Sequence, residues 1–162
     1  MWKNFTIFVL FGLVLLISVV LFEFYQLKPK QFSEIYNYHG YPEDVLIILG
    51  DEAIPIALEK IKNKETKKRS FIISFLGNQG VKEAIPILET IISDENDENR
   101  ESALFAIAQI DNDLAIKYAN KYKDDNGKLG KASRDILNKE PYVYERTSYV
   151  EAWLNYLDLN HE

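Results

Sequence analysis

The sequence predicts an all-α chain: one N-terminal transmembrane helix, then helical hairpins stacked side by side. Three observations predict it. Phe5 to Phe22 is an 18-residue run without a charge. A 31-residue repeat recurs through the middle of the chain. Within each copy the apolar residues fall at helical spacing, and no alternating strand pattern competes with them.

The balance of the 162 residues is globular, with 47% apolar and 27% charged. The absence of cysteine removes disulfides, thiol nucleophiles and Cys-ligated metals together, while leaving the redox compartment open. Lys and Arg total 19 against 25 Asp and Glu, for a formal charge of -6. A nucleic-acid footprint needs a basic surface, so nucleic acid is not the expected partner.

The first element is FTIFVLFGLVLLISVVLF, residues 5–22, in which Thr6 and Ser18 are the only polar side chains. A bilayer core of roughly 30 Å takes about 20 helical residues, and Phe24, Tyr25 and Leu27 extend the run past Glu23. Trp2 and Tyr25 lie near opposite ends, where amphipathic rings prefer to sit. A cleaved signal needs a small-x-small site, and LFEFYQLKPK offers none. Residues 1–27 therefore read as an uncleaved single-pass anchor. Lys3 and the amino terminus precede the span and Lys28 and Lys30 follow it, so flanking charge is nearly balanced. The short, signal-like start favours a domain outside the cytoplasm. Residues 28–41, with Pro29 and Gly40, read as a linker holding one short helix around Phe32–Tyr38.

The repeat comes next. Ala53–Ala57 (AIPIA) recurs 31 residues on as Ala84–Leu88 (AIPIL) and again, degenerate, as Ala115–Ala119 (AIKYA). Upstream, Arg69, Ile72, Ile73, Phe75, Leu76 and Gly77 align with Arg100, Ala103, Leu104, Ala106, Ile107 and Ala108. Lys131 holds the third Arg position, and Val45–Gly50 forms a partial first copy. Ile54, Leu58 and Ile61, like Ile85, Leu88 and Ile92, make helical stripes. Pro55 and Pro86 sit near helix starts, where a missing N–H costs little, and Gly50 and Gly77 sit where helices should end. The expected helices are 43–49, 52–62, 67–76, 81–93, 98–109, 113–122, 129–138 and 146–159. A hairpin alone cannot bury its apolar face; stacked hairpins can, with amphipathic caps at the ends. Residues 42–141 form the repeat domain in this reading, and residues 142–162 a capping helix bearing Val150, Trp153, Leu154 and Leu157.

Arg69-x-x-Ile72-Ile73-x-Phe75-Leu76-Gly77 followed by Glu83-Ala84-Ile85-Pro86-x-Leu88 resembles the short HEAT-like repeats of bacteria, a type also met in phycobilisome lyases. Arg100-x-x-Ala103-Leu104-x-Ala106-Ile107-Ala108 is the second match, and the resemblance spans about Pro42 to Asn138. It departs at Lys117, where the family has proline, and at Lys131–Asn138, where the apolar register drifts. The resemblance implies a short right-handed α–α superhelix, an armadillo-like solenoid used for protein binding. Fold does not fix chemistry, so no lyase activity is carried over.

Motifs for catalysis are thin. His39 lies in the linker and His161 is the penultimate residue, with no partner at metal-ligand spacing. No G-x-S-x-G elbow or phosphate-cradling glycine loop occurs. Asp94–Asn99 invites a calcium reading, but no glycine follows at the position an EF-hand loop needs, and Asp124–Gly127 has the glycine but puts Tyr122 at position 1. These acids read as turns that cap the next helix. No cofactor, metal or small-molecule substrate is expected, and the chain reads as a non-enzyme.

Interaction is the expected chemistry. Lys60, Lys62, Lys64, Lys67, Lys68 and Arg69 make a basic turn, and the equivalent turn one repeat on, 94–101, is acidic. An edge that changes sign suits a partner of opposite pattern, with Lys64, Lys67, Lys68, Asp94 and Asp97 in contact. Arg69 and Arg100 read as structural, bonding turn carbonyls or acids of the neighbouring repeat. Tyr142, Tyr144, Tyr149 and Trp153 read either as a contact surface or as a seal on the solenoid's end. The expected function is that of a membrane-anchored protein-binding scaffold; the alternative is a structural or accessory subunit of a membrane complex.

Overall fold

The computed structural model describes residues 2–159, with the side chains of 2–9, 23–27 and 159 outside the description. His161 thus lies outside the described residues. The described residues are helical throughout, joined by turns and short 3-10 segments, with no strand among them. They divide into residues 1–30 and a second unit, residues 31–162.

In the first unit, α1 runs Trp2–Leu27. Its 26 residues run roughly 39 Å at 1.5 Å per residue, and its described side chains are those of 10–22. Among the described residues no helix is long and apolar enough to cross a membrane. The remainder of the expected span, 5–9, and both expected interfacial rings, Trp2 and Tyr25, lie outside the described side chains. From Leu10 to Phe22 the large apolar side chains are 48–67% exposed.

The second unit opens with a 3-10 turn, Phe32–Tyr36. Phe32 and Ile35 are buried, so the short helix expected within residues 28–41 adds an apolar pair to the core. Then follow α2 (Pro42–Leu49), α3 (Ile54–Lys60), α4 (Arg69–Asn78), α5 (Ile85–Ser93), α6 (Arg100–Ile110), α7 (Asn112–Tyr122), α8 (Lys128–Leu137) and α9 (Tyr149–Leu159). Each expected helix is present, within three residues at its ends once the leading 3-10 turns at 50–53 and 82–84 are counted.

Burial follows the repeat. Ala53, Ala84 and Ala115 are buried, as are Ala57, Leu88 and Ala119, each set spaced by 31 residues. Ile72, Ile73, Phe75 and Leu76 on α4 match Ala103, Leu104, Ala106 and Ile107 on α6, and all are 0–1% exposed. The partial copy on α2 buries Val45, Leu46, Ile48 and Leu49 in the same pattern. The buried stripe of α3 is Ala53, Ala57 and Ile61, one residue off the bulky Ile54–Leu58 line, which is half-buried. Small residues lie at the centre because neighbouring backbones approach closely there.

Of the two glycines expected at helix ends, one differs from expectation. Gly50 ends α2 with φ +63, as read from sequence. Gly77 lies within α4, and a Cβ there would stand 2.7 Å from Ala106 Cα and 2.9 Å from its Cβ. It lets α4 and α6 touch; the left-handed residue that follows the helix is Gly80, φ +68. Prolines 55 and 86 stand in the first turn of α3 and α5, each after a 3-10 turn. The third copy has Lys117 instead, and no 3-10 turn precedes α7. With its N–H available the helix extends back to Asn112, where Asp111 accepts the Leu114 N–H at 3.0 Å.

The largest departure is the C-terminal segment. After α8 the chain turns back: Tyr142 and Tyr144 stay on α8 and the start of α7, while α9 packs against α2 of the first repeat. Ala152 and Trp153 are buried. Hydrophobic closure is satisfied at α2, which otherwise has a solvent-facing apolar side.

Candidate interaction site

The inter-repeat turns show how the hairpins are locked. Arg69 is 4% exposed; its Nε donates to Ile61 O at 2.8 Å and its guanidinium to both Asp97 oxygens at 2.7 and 2.9 Å. Arg100 repeats the arrangement one copy on, with Nε donating to Ile92 O at 2.8 Å and Nη1 lying 3.9 Å from Asp125. The structural reading of both arginines matches these contacts. The third turn departs from the sequence register: Lys131 is exposed, and Arg134 donates to Lys123 O at 2.7 Å instead. Gly130 allows this, because a Cβ there would overlap the Asp125 carbonyl.

These contacts use most of the expected charged edge internally. Lys64 forms an ion pair with Asp94, so the basic turn and the acidic turn bind each other. The Lys64 ammonium, with the Asn96 N–H, holds the Asp94 carboxyl below its usual range. Burial pushes the Asp97 carboxyl up, but Arg69 and the Asn99 N–H outweigh it and hold the group below its usual range. Asp97 is 6% exposed and therefore a lock between repeats rather than a contact for a partner. Lys68 adopts φ +57 and donates to Ile35 O at 2.8 Å and Tyr38 O at 3.1 Å, which ties the segment before α2 to the repeat. Of the expected lysines, Lys64 and Lys67 are exposed, Lys64 within its ion pair to Asp94, and Lys68 is half-buried. Behind the Lys64–Asp94 pair, a cleft of ≈ 300 Å³ between α3 and α5 has Ile61, Ile87 and Ile91 in its wall.

The aromatic set divides. Trp153 is 8% exposed and packs edge-on to Tyr149 and Tyr156, so it is core. Tyr144 donates to Asn112 Oδ1 at 3.0 Å. Tyr142 is 50% exposed, lies edge-on to Phe105 and donates to Asp135. Tyr142 keeps an open face; Tyr144 and Trp153 hold the returning segment down. His39 is exposed, and among the described residues no cluster of His, Asp or Glu is placed to hold a metal.

That returning segment reveals residues that sequence reasoning missed. Asn78 at the end of α4 donates from Nδ2 to Thr147 O at 3.3 Å, and Gln109 at the end of α6 donates from Nε2 to Glu145 O at 2.9 Å. Asn78 and Gln109 are 31 residues apart, one repeat, and the carbonyls they grip are two residues apart. Arg146 in turn donates to Gln109 O. Further on, Tyr38 Oη donates to Asn155 O at 3.2 Å, and Asn155 Nδ2 to Asp44 Oδ1 at 3.4 Å. Residues 144–148, which have no regular structure, are thus held partly through their main chain by amides in repeat register. The repeat shift was the signal that could have paired Asn78 with Gln109; nothing in the sequence said what they would hold.

Asp44 is the unusual group of this face. It is 2% exposed, and its Oδ2 has no hydrogen-bond partner. Burial pushes its carboxyl above the usual range; the Asn155 bond opposes the shift and Glu151 adds to it. Burial, and next the Asp44 charge, push Tyr38 up to about 12. Gln109 Oε1, against Gly77, is the other buried side-chain oxygen without a partner among the described residues.

No protein-family model matches the chain, and neither a curated protein nor a solved structure does.

Proposed function

We propose that the chain is a non-enzymatic protein-binding module: a short HEAT-like α-solenoid carried on a membrane anchor at residues 5–22. One observation carries the reading. Two side-chain amides one repeat apart, Asn78 and Gln109, already hold an irregular peptide segment by its carbonyls. Main-chain recognition of that kind lets stacked repeats grip an extended segment, and the same face is the surface proposed for a partner protein. The 31-residue spacing of buried positions and the Arg69 and Arg100 locks support the solenoid. The exposed apolar side chains from Leu10 to Phe22 support the anchor, since water is a poor solvent for so much apolar surface. Tethering confines the search to a surface and raises effective concentration, so modest affinity suffices.

A second reading, an accessory subunit of a membrane complex that associates through α1, is favoured by those same exposed side chains. Crosslinking followed by pull-down from membranes separates the two, using the full chain and a chain lacking residues 1–27. Partners retained without the anchor support the module. Partners lost with it support the complex subunit.

A further inference from the structure

We propose that residues 141–159 are a latch that opens and closes with the protonation of Asp44, baring the α2 face and the Asn78 and Gln109 amides when it opens. The geometry points there from three directions. Asp44 is buried where α9 meets α2, with one oxygen bonded to Asn155 and the other unpartnered. Gln109, whose amide grips the strap at Glu145, carries the second unpartnered buried oxygen. A buried acceptor without a partner is destabilising, and among the described residues both of this kind fall on the strap's docking face. The hinge after α8 is Lys139, a non-glycine residue at φ +57.

The charges around Asp44 set the sign. From α9 it faces Glu151; from the segment before α2 it faces Tyr38; on its own helix Glu43 is its neighbour. No described cation is among them. Glu43 turns toward α4, where Ser74 hydrogen-bonds it, and burial also pushes its carboxyl up. A neutral Asp44 is tolerated under α9; an ionised one is a buried charge facing another carboxylate. Its docked pKa lies above the undocked value, so docking is fully stabilised below the undocked pKa. That stabilisation is lost as pH rises through the docked one. The latch therefore closes as pH falls and loosens as pH rises through the docked pKa. As a control on access to the face proposed above, it rests on that reading; as a motion, it needs no partner.

Hydrogen exchange on the full chain in detergent micelles, pH 4.5–8 and corrected for intrinsic rates, tests it. Protection of 149–159 should fall with rising pH while α4 and α6 keep theirs. Asp44→Asn should hold α9 protection high and flat. Glu151→Gln should make the fall shallower, and Glu43→Gln should leave it in place. A wild-type α9 whose protection does not change with pH overturns the latch, as does an Asp44→Asn chain that keeps the wild-type dependence. Protection of α4 and α6 reports in each variant whether the fold survives. A latch that fails this test leaves the pull-down result standing, and the reverse holds too.

Discussion

The Arg69–Asp97 pair is the most consequential side-chain contact between repeats, because both partners are buried and each is bonded more than once. Removing one partner strands a buried charge. Arg69→Ala should therefore lower unfolding free energy by about 3–5 kcal/mol, read from urea denaturation of the full chain. The Arg69→Met, Asp97→Leu double variant should recover much of that loss, since apolar replacement avoids the desolvation of both ions. Asp97 also sets a pH dependence. Its folded pKa is depressed, so its contribution is present above the unfolded value of about 3.9 and lost as pH falls through the folded one. Acid unfolding midpoints should show this limb in the wild type and lose it in Arg69→Ala. Lys67→Glu is the clean charge-reversal probe of the edge, with unchanged thermal unfolding expected. Lys68→Glu should destabilise, because it sets an anion against the Ile35 and Tyr38 carbonyls.

Among elements, the contact of α4 with α6 is set by a missing side chain. Gly77→Ala places a methyl 2.7 Å from Ala106 Cα, backbone that cannot swing aside. The cost should be about 1–3 kcal/mol in chemical denaturation. Proline gives the complementary test. Pro86→Ala should shift stability by less than about 1 kcal/mol, because the first helical turn has no use for that N–H. Lys117→Pro copies the repeat consensus, yet lands inside α7, which begins at Asn112. There it should cost about 3 kcal/mol, with helicity lost in circular dichroism. The same residue type is neutral in one copy and disruptive in the next because the helix start has moved.

For the whole molecule, the returning strap joins the last element to the first. Trp153→Ala should cost about 3–5 kcal/mol, typical for emptying a buried aromatic site. Its signature is positional: hydrogen exchange should speed up in α2, which α9 covers, well before it does in α6. A true end cap on α8 would give the opposite order.

The chain's own pattern determined the helices, their pairing into hairpins and the buried positions. A 31-residue period with apolar residues at helical spacing marks equivalent positions of successive copies for burial, and those positions are buried. The roles of Arg69 and Arg100 were legible for the same reason: a long donor repeated at one register must meet a repeated acceptor. Only the tertiary structure decided where charges and aromatics ended up. Lys64 and Asp94 read as two surfaces and are one pair, because stacking brings their turns together. Tyr144 and Trp153 read as a contact surface or a terminal seal; in the fold Tyr144 fastens the strap at Asn112 and Trp153 lies buried on α9, which packs on α2. Asp44 gave no sign of itself in the sequence, being one acid in a first helical turn where acids are common. Its burial comes from a helix that begins 105 residues later. Periodicity records what each helix hides, whereas a contact between distant segments leaves no period to read.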